Sequence, residues 1–113
     1  MTTSQDVLPA TITGYLAAHL AREVDAATSR FTDDAVVVDE GHTYTGPAEI
    51  AAWLDRSASE YTYTIELTGT ERIDDAHYVA THHLEGNFPG GVVDLHFRFT
   101  LRGDRISALT IEP

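Results

Sequence analysis

At 113 residues, with 42% apolar and 22% charged residues, the chain has the composition of one globular domain (residues 1–113) built round one core. Eighteen Asp and Glu stand against seven Arg and no Lys, a formal charge of -11 that repels phosphate backbones and excludes nucleic acid as an expected partner. No apolar run approaches the ~20 residues that cross a bilayer. The start Met1-Thr2-Thr3-Ser4-Gln5-Asp6 has neither basic flank nor apolar signal core, and the absence of cysteine removes disulfides and thiolate chemistry, so the expected protein is soluble and cytoplasmic.

Residues 7 to 20 place Ile12, Leu16 and Leu20 at helical spacing, with Pro9 tolerable in a first turn, and this predicts an amphipathic helix with Tyr15 and His19 on one side. A second short helix is predicted through Glu23, Val24, Ala27 and Arg30, closed by Phe31. The β-branched run Ala35-Val36-Val37-Val38-Asp39, between Asp33-Asp34 and Glu40-Gly41, predicts a buried strand. Pro47 at a first helical position starts a third helix, Ala48 to Leu54, with Trp53 on its inner side. From Tyr61 to Thr68 the apolar period becomes two, and strands follow over His77–Glu85, Val92–Leu101 and Arg105–Glu112, separated by the turns Gly86–Gly91 and Gly103-Asp104. Helices first and antiparallel strands afterwards give an α+β architecture.

The segments Tyr15-Leu16-Ala17-Ala18-His19, Phe31-Thr32-Asp33-Asp34-Ala35-Val36-Val37-Val38-Asp39, Tyr44-Thr45-Gly46-Pro47-Ala48-Glu49-Ile50 and His96-Phe97-Arg98-Phe99 resemble the nuclear-transport-factor-2-like superfamily, in particular its SnoaL-like and ketosteroid-isomerase-like branch. The resemblance implies a cone-shaped (cystatin-like) fold, about three helices packed in a strongly curved, mostly antiparallel sheet. It also implies an apolar cavity for a small molecule and a homodimer formed through the outer sheet face. In those isomerases the residue at Tyr15 donates to an oxyanion, that at Asp39 shuttles a proton, and that at Trp53 is a pocket aromatic. Leu95 stands where they carry a second, protonated aspartate, a departure that weighs against steroid isomerisation.

The residues point to chemistry of their own. Asp39 follows three valines, where an apolar strand reaches the interior; burial there disfavours the charged form and makes a carboxylate basic enough to take a proton from carbon next to a carbonyl. A positioned tyrosine hydroxyl such as Tyr15 would stabilise the enolate oxygen. The alternatives are that Asp39 opens the turn Asp39-Glu40-Gly41 and that Tyr15 is a core tyrosine. His19 is a second acid or base of the cavity, or a satisfied rim histidine. The register that turns Leu95 and Phe97 inward also turns Tyr78, Ala80, His82 and Leu84 inward, so His82 joins the candidate catalytic set or simply meets water. Trp53, Tyr61, Tyr63, Ile65, Tyr78, Leu95 and Phe97 are the expected lining. His83, Glu85, Asp94 and His96 share the opposite face, where ion pairs are expected rather than a metal.

No phosphate-cradling or nucleophile-elbow motif occurs, and no cofactor is expected. The reading is a small-molecule-binding protein with acid-base isomerase, cyclase or dehydratase chemistry on an apolar carbonyl or hydroxyl compound. The alternative is a non-catalytic ligand-binding or dimerisation module.

Overall fold

The computed structural model describes residues 8–60 and 62–113, so Val7 and Tyr61, which the sequence assigned to a helix and a strand, lie outside the described residues. Pro9 is extended and precedes helix α1, Ala10–Leu20, where its missing N–H costs no helical hydrogen bond, and its carbonyl accepts from the N–H groups of Ile12 and Thr13. The buried positions Thr11, Ile12, Tyr15 and Ala18 recur at helical spacing and form its inner face. Helix α2, Val24–Thr28, is a single short turn after a tight corner at Arg22.

Strand β1 runs Phe31–Asp39 and β2 His42–Thr45. Phe31 therefore begins a strand instead of closing the helical pair. Its Asp33-Asp34 interruption is absorbed as a bulge, where Thr32 bonds Asp34 and Arg102 forms an ion pair with Asp34. Helix α3, Gly46–Glu60, extends beyond the expected Leu54, and Glu49 accepts from the Thr45 N–H at 2.8 Å to fix its start. The remaining strands are β3 Tyr63–Asp74, β4 His77–Gly86, β5 Val92–Arg102 and β6 Arg105–Glu112.

The six strands form one sheet in the order β2-β1-β6-β5-β4-β3, curled but open. Every pairing is antiparallel except β1 with β6. Because opposed residues share a face, the pairings define rows across the concave side. Val37, Leu109, Phe99 and Tyr78 form one row, and Asp39, Ile111, Phe97 and Ala80 the next. Leu95, His82 and Leu67 follow, then Val93, Leu84 and Ile65. The first row packs beneath α1 in a core with Ile12, Tyr15, Phe31 and Ile106. The later rows lead to an opening.

Candidate functional site

That opening is a cavity of about 610 Å³. Its walls come from the ends of β1 and β6, the middle of β5, the start of β3, Trp53 of α3 and His19 of α1, with Phe88 and Pro89 of the β4–β5 turn at the mouth.

Asp39 reaches it because it keeps the parity of Ala35 and Val37 on β1 and so faces the concave side. Its carboxylate Oδ2 accepts a hydrogen bond from Trp53 Nε1–H at 3.0 Å. Trp53 is itself held: it is buried, Tyr44 of β2 stacks on it at 6.0 Å, and Arg56 bonds the Tyr44 hydroxyl and lies over that ring. An indole fixed in this way presents its N–H at one place and orients the carboxylate.

His19 also lines the cavity, at 6.2 Å from both the Trp53 and Phe97 rings. Burial pushes its pKa down to about 4, so the ring is neutral at physiological pH. Tyr15, one helical turn earlier, is completely buried between Phe31 and Phe99, and its hydroxyl lies 3.0 Å from His19 Nδ1. Burial first, then the charge of Asp39 and the nearby Tyr63, raise the Tyr15 pKa well above the ordinary phenol range, and the hydroxyl keeps its proton.

Of the residues singled out from sequence, Asp39, His19, Trp53, Tyr63, Ile65, Leu95 and Phe97 line the cavity. Tyr15, Tyr78 and His82 do not. Tyr15 and Tyr78 belong to the packed core, and the Tyr15 hydroxyl is hydrogen-bonded to the cavity-lining His19 and within electrostatic range of Asp39 and Tyr63. His82 faces the concave side but lies buried behind Phe97, its ring 4.6 Å away. Its Nδ1 has no hydrogen-bond partner, and burial, then the neighbouring His19, push its pKa down to about 4. The mouth residues Glu40, Phe88 and Pro89 and the β6 residues Ile111 and Glu112 also line the cavity, and the sequence reading missed them. The alternation of β6 alone would have found Ile111, whereas the turn residues carry no periodic signal.

On the outer face His83 bridges Asp94 at 2.7 Å and Glu85 at 2.8 Å, carboxylates that raise its pKa. Arg98 pairs with Glu112 there. Among the described residues no group of His, Asp and Glu is arranged to hold a metal ion, and no helix is long and apolar enough to cross a membrane.

Residues 12–109 match the family model of the SnoaL-like domain. The chain belongs to that family. Similar to this SnoaL-like domain is the crystal structure of a candidate polyketide cyclase from Sinorhizobium meliloti, 31% identical over 98% of this chain and 100% of the other, with a TM-score of 0.89. A Catenulispora acidiphila protein of ketosteroid-isomerase-like fold, in complex with trimethylamine, is 22% identical over 95% of this chain and 87% of its own, with a TM-score of 0.81. A Mycobacterium tuberculosis protein in complex with estradiol-17β-hemisuccinate is 14% identical over 91% and 90%, with a TM-score of 0.75. The last two show the fold alone. Among curated proteins no match is found. The architecture of the SnoaL-like domain is thus the cone-shaped nuclear-transport-factor-2-like fold, and the family is one of small-molecule binders.

Proposed function

We propose that the cavity binds a small, mostly apolar carbonyl or hydroxyl compound and that Asp39 moves a proton on it, in an isomerisation, cyclisation or dehydration that needs no cofactor. One observation carries this reading: Asp39, anchored by Trp53, and His19, anchored by Tyr15, line the same cavity of about 610 Å³. The carboxylate takes the proton from carbon next to the carbonyl, the electron pair passes to the oxygen, and the same carboxylate returns the proton to another atom of the enolate. With Tyr15 donating to Nδ1, the proton of the neutral His19 ring rests on Nε2, which donates to the oxygen as charge develops. The oxyanion role the resemblance gives Tyr15 thereby passes to His19, and Tyr15 positions the ring. The Mycobacterium relative's steroid ester and the Catenulispora relative's trimethylamine support ligand binding in this fold.

The test is exchange of the protons next to the carbonyl in a panel of aromatic and alicyclic ketones in D2O, followed by NMR. The protein is expected to accelerate exchange in at least one, and Asp39→Asn, which keeps the shape and removes the base, to lower that rate by about 10²–10⁴-fold. Binding without exchange across the panel would leave a non-catalytic binder. The reading also includes a pair of copies joined through the outer sheet face; sedimentation equilibrium at neutral pH should give twice the chain mass, and a monomer at micromolar concentration removes that element.

A further inference from the structure

Tyr63 opens β3, and the backbone is clamped at that point. The Thr62 N–H donates to Asn87 Oδ1 at 2.9 Å, the Thr62 carbonyl accepts from the Asn87 N–H at 3.1 Å, and Tyr63 faces Gly86 across the β3–β4 pairing. A Cβ at Gly86 would lie 2.5 Å from the Tyr63 Cβ and 2.4 Å from the Thr62 carbonyl oxygen, so glycine is what lets the two strands meet this closely. The ring held in this way keeps the parity of Ile65 and lines the large cavity with it.

The Tyr63 side chain is half-buried, yet among the described residues nothing hydrogen-bonds its hydroxyl. The hydroxyl is within electrostatic range of the Asp39 carboxylate and of the Tyr15 hydroxyl, which is itself bonded to His19 Nδ1 at 3.0 Å. Burial holds the Tyr63 pKa above the ordinary phenol value; Arg22, at the left-handed corner after α1 (φ 59), draws it down and Asp39 pushes it up, and the hydroxyl keeps its proton at neutral pH.

The cavity offers few other donors. Among its lining side chains, those with an N–H or O–H are His19, Trp53, Tyr63 and Thr110. The Trp53 N–H is committed to Asp39, and Thr110 pairs with Val38 and Arg98 in a row of the outer face. His19 and Tyr63 remain. An enolate oxygen carries more charge than a ketone oxygen, and a single imidazole N–H leaves a second lone pair facing apolar wall.

We propose that Tyr63 is a further catalytic residue, whose hydroxyl donates to the same substrate oxygen as His19 Nε2–H, so that the developing oxyanion is held between phenol and imidazole while Asp39 carries the proton. The inference rests on the acid-base reading of the cavity and adds its second donor. Because the hydrogen bond strengthens as charge reaches the oxygen, the hydroxyl acts on rate more than on affinity.

The probes are the fastest-exchanging ketone of the panel, with 2-tetralone included, and 4-nitrophenolate, whose oxygen already bears charge. Tyr63→Phe should slow exchange about 10²-fold at saturating ketone and leave the half-saturating concentration within about twofold. The melting temperature should not move, since among the described residues the hydroxyl bonds nothing. In an Asp39→Asn background, where a neutral amide stands for the protonated carboxyl, the same substitution should weaken 4-nitrophenolate about tenfold by calorimetric titration and leave the ketone's affinity unchanged. A lower melting temperature with both affinities lost together would make Tyr63 a structural residue and overturn the proposal. Exchange within about twofold of the native rate, or phenolate affinity indifferent to the hydroxyl, overturns it as well. In each case the acid-base reading stands as long as Asp39→Asn abolishes exchange. Absence of exchange by the native protein across the whole panel overturns both.

Discussion

The two ends of the concave face are built from the same strands and treated in opposite ways. At the closed end the row Val37, Leu109, Phe99 and Tyr78 is covered by Ile12 and Tyr15, and nearly every side chain is excluded from solvent. One strand-repeat further along, the row Asp39, Ile111, Phe97 and Ala80 is covered by Trp53 and His19, which meet the sheet without filling it, and about 610 Å³ is left. The apolar pattern of the strands hardly changes between the rows. What changes is the cover: aliphatic and aromatic bulk over one, two hydrogen-bonding rings over the other. Tight packing and open cavity are thus separated along one sheet, and the polar groups Asp39, His19 and His82 all lie toward the open end.

The sharpest way to break this comparison is to truncate one residue in each region. Phe99→Ala leaves a void among fixed neighbours and should cost about 3–5 kcal/mol, whereas Leu95→Ala only widens an existing cavity and should cost about 1 kcal/mol, both read from denaturant unfolding. Equal losses would mean that the open end is as tightly packed as the closed one. Acid gives the next largest effect. Burial holds His19 and His82 at about 4, below the ordinary 6.5, so the unfolded chain binds more protons than the fold between those values. Their contribution is therefore complete above pH 6.5 and is lost as pH falls toward 4, by up to about 3 kcal/mol for each ring. Unfolding midpoints across that window should fall steadily in the native chain and more shallowly in a His19→Asn, His82→Gln double variant. An unchanged slope would place the acid sensitivity outside the open end.

How far the sequence announced this arrangement depends on whether the signal is local. The alternation in β3 to β6 is local, and it gave the strands and the inward set Tyr78, Ala80, His82 and Leu84 directly. β2 is four residues of His, Thr and Tyr with no buried position, so nothing in its pattern marks a strand; only its pairing with β1 does. The parity of β1 turned Asp39 inward, and the helical spacing put Tyr15 and His19 on one side. Which of that pair touches the cavity depends on depth, and depth is set by where Phe31 and Phe99 come to rest on Tyr15 from distant parts of the chain. Arg22 gave no signal, because a left-handed corner without glycine leaves no mark in composition or period.

The place of β6 in the sheet bears on how the molecule comes into being. β6 is the C-terminal strand of the six, yet it lies between β1 and β5 and joins the two halves of the sheet, with Phe31 aligned to Ile106 in the parallel pairing. Ribosomal synthesis delivers the β3–β5 meander and the β1–β2 hairpin first, each with a raw edge facing the gap. Only when residues 105–112 emerge can that gap be bridged, through contacts spanning most of the chain. The sheet of this domain accordingly closes only after its last strand has been made, and the nascent chain exposes two sticky strand edges to its surroundings until then.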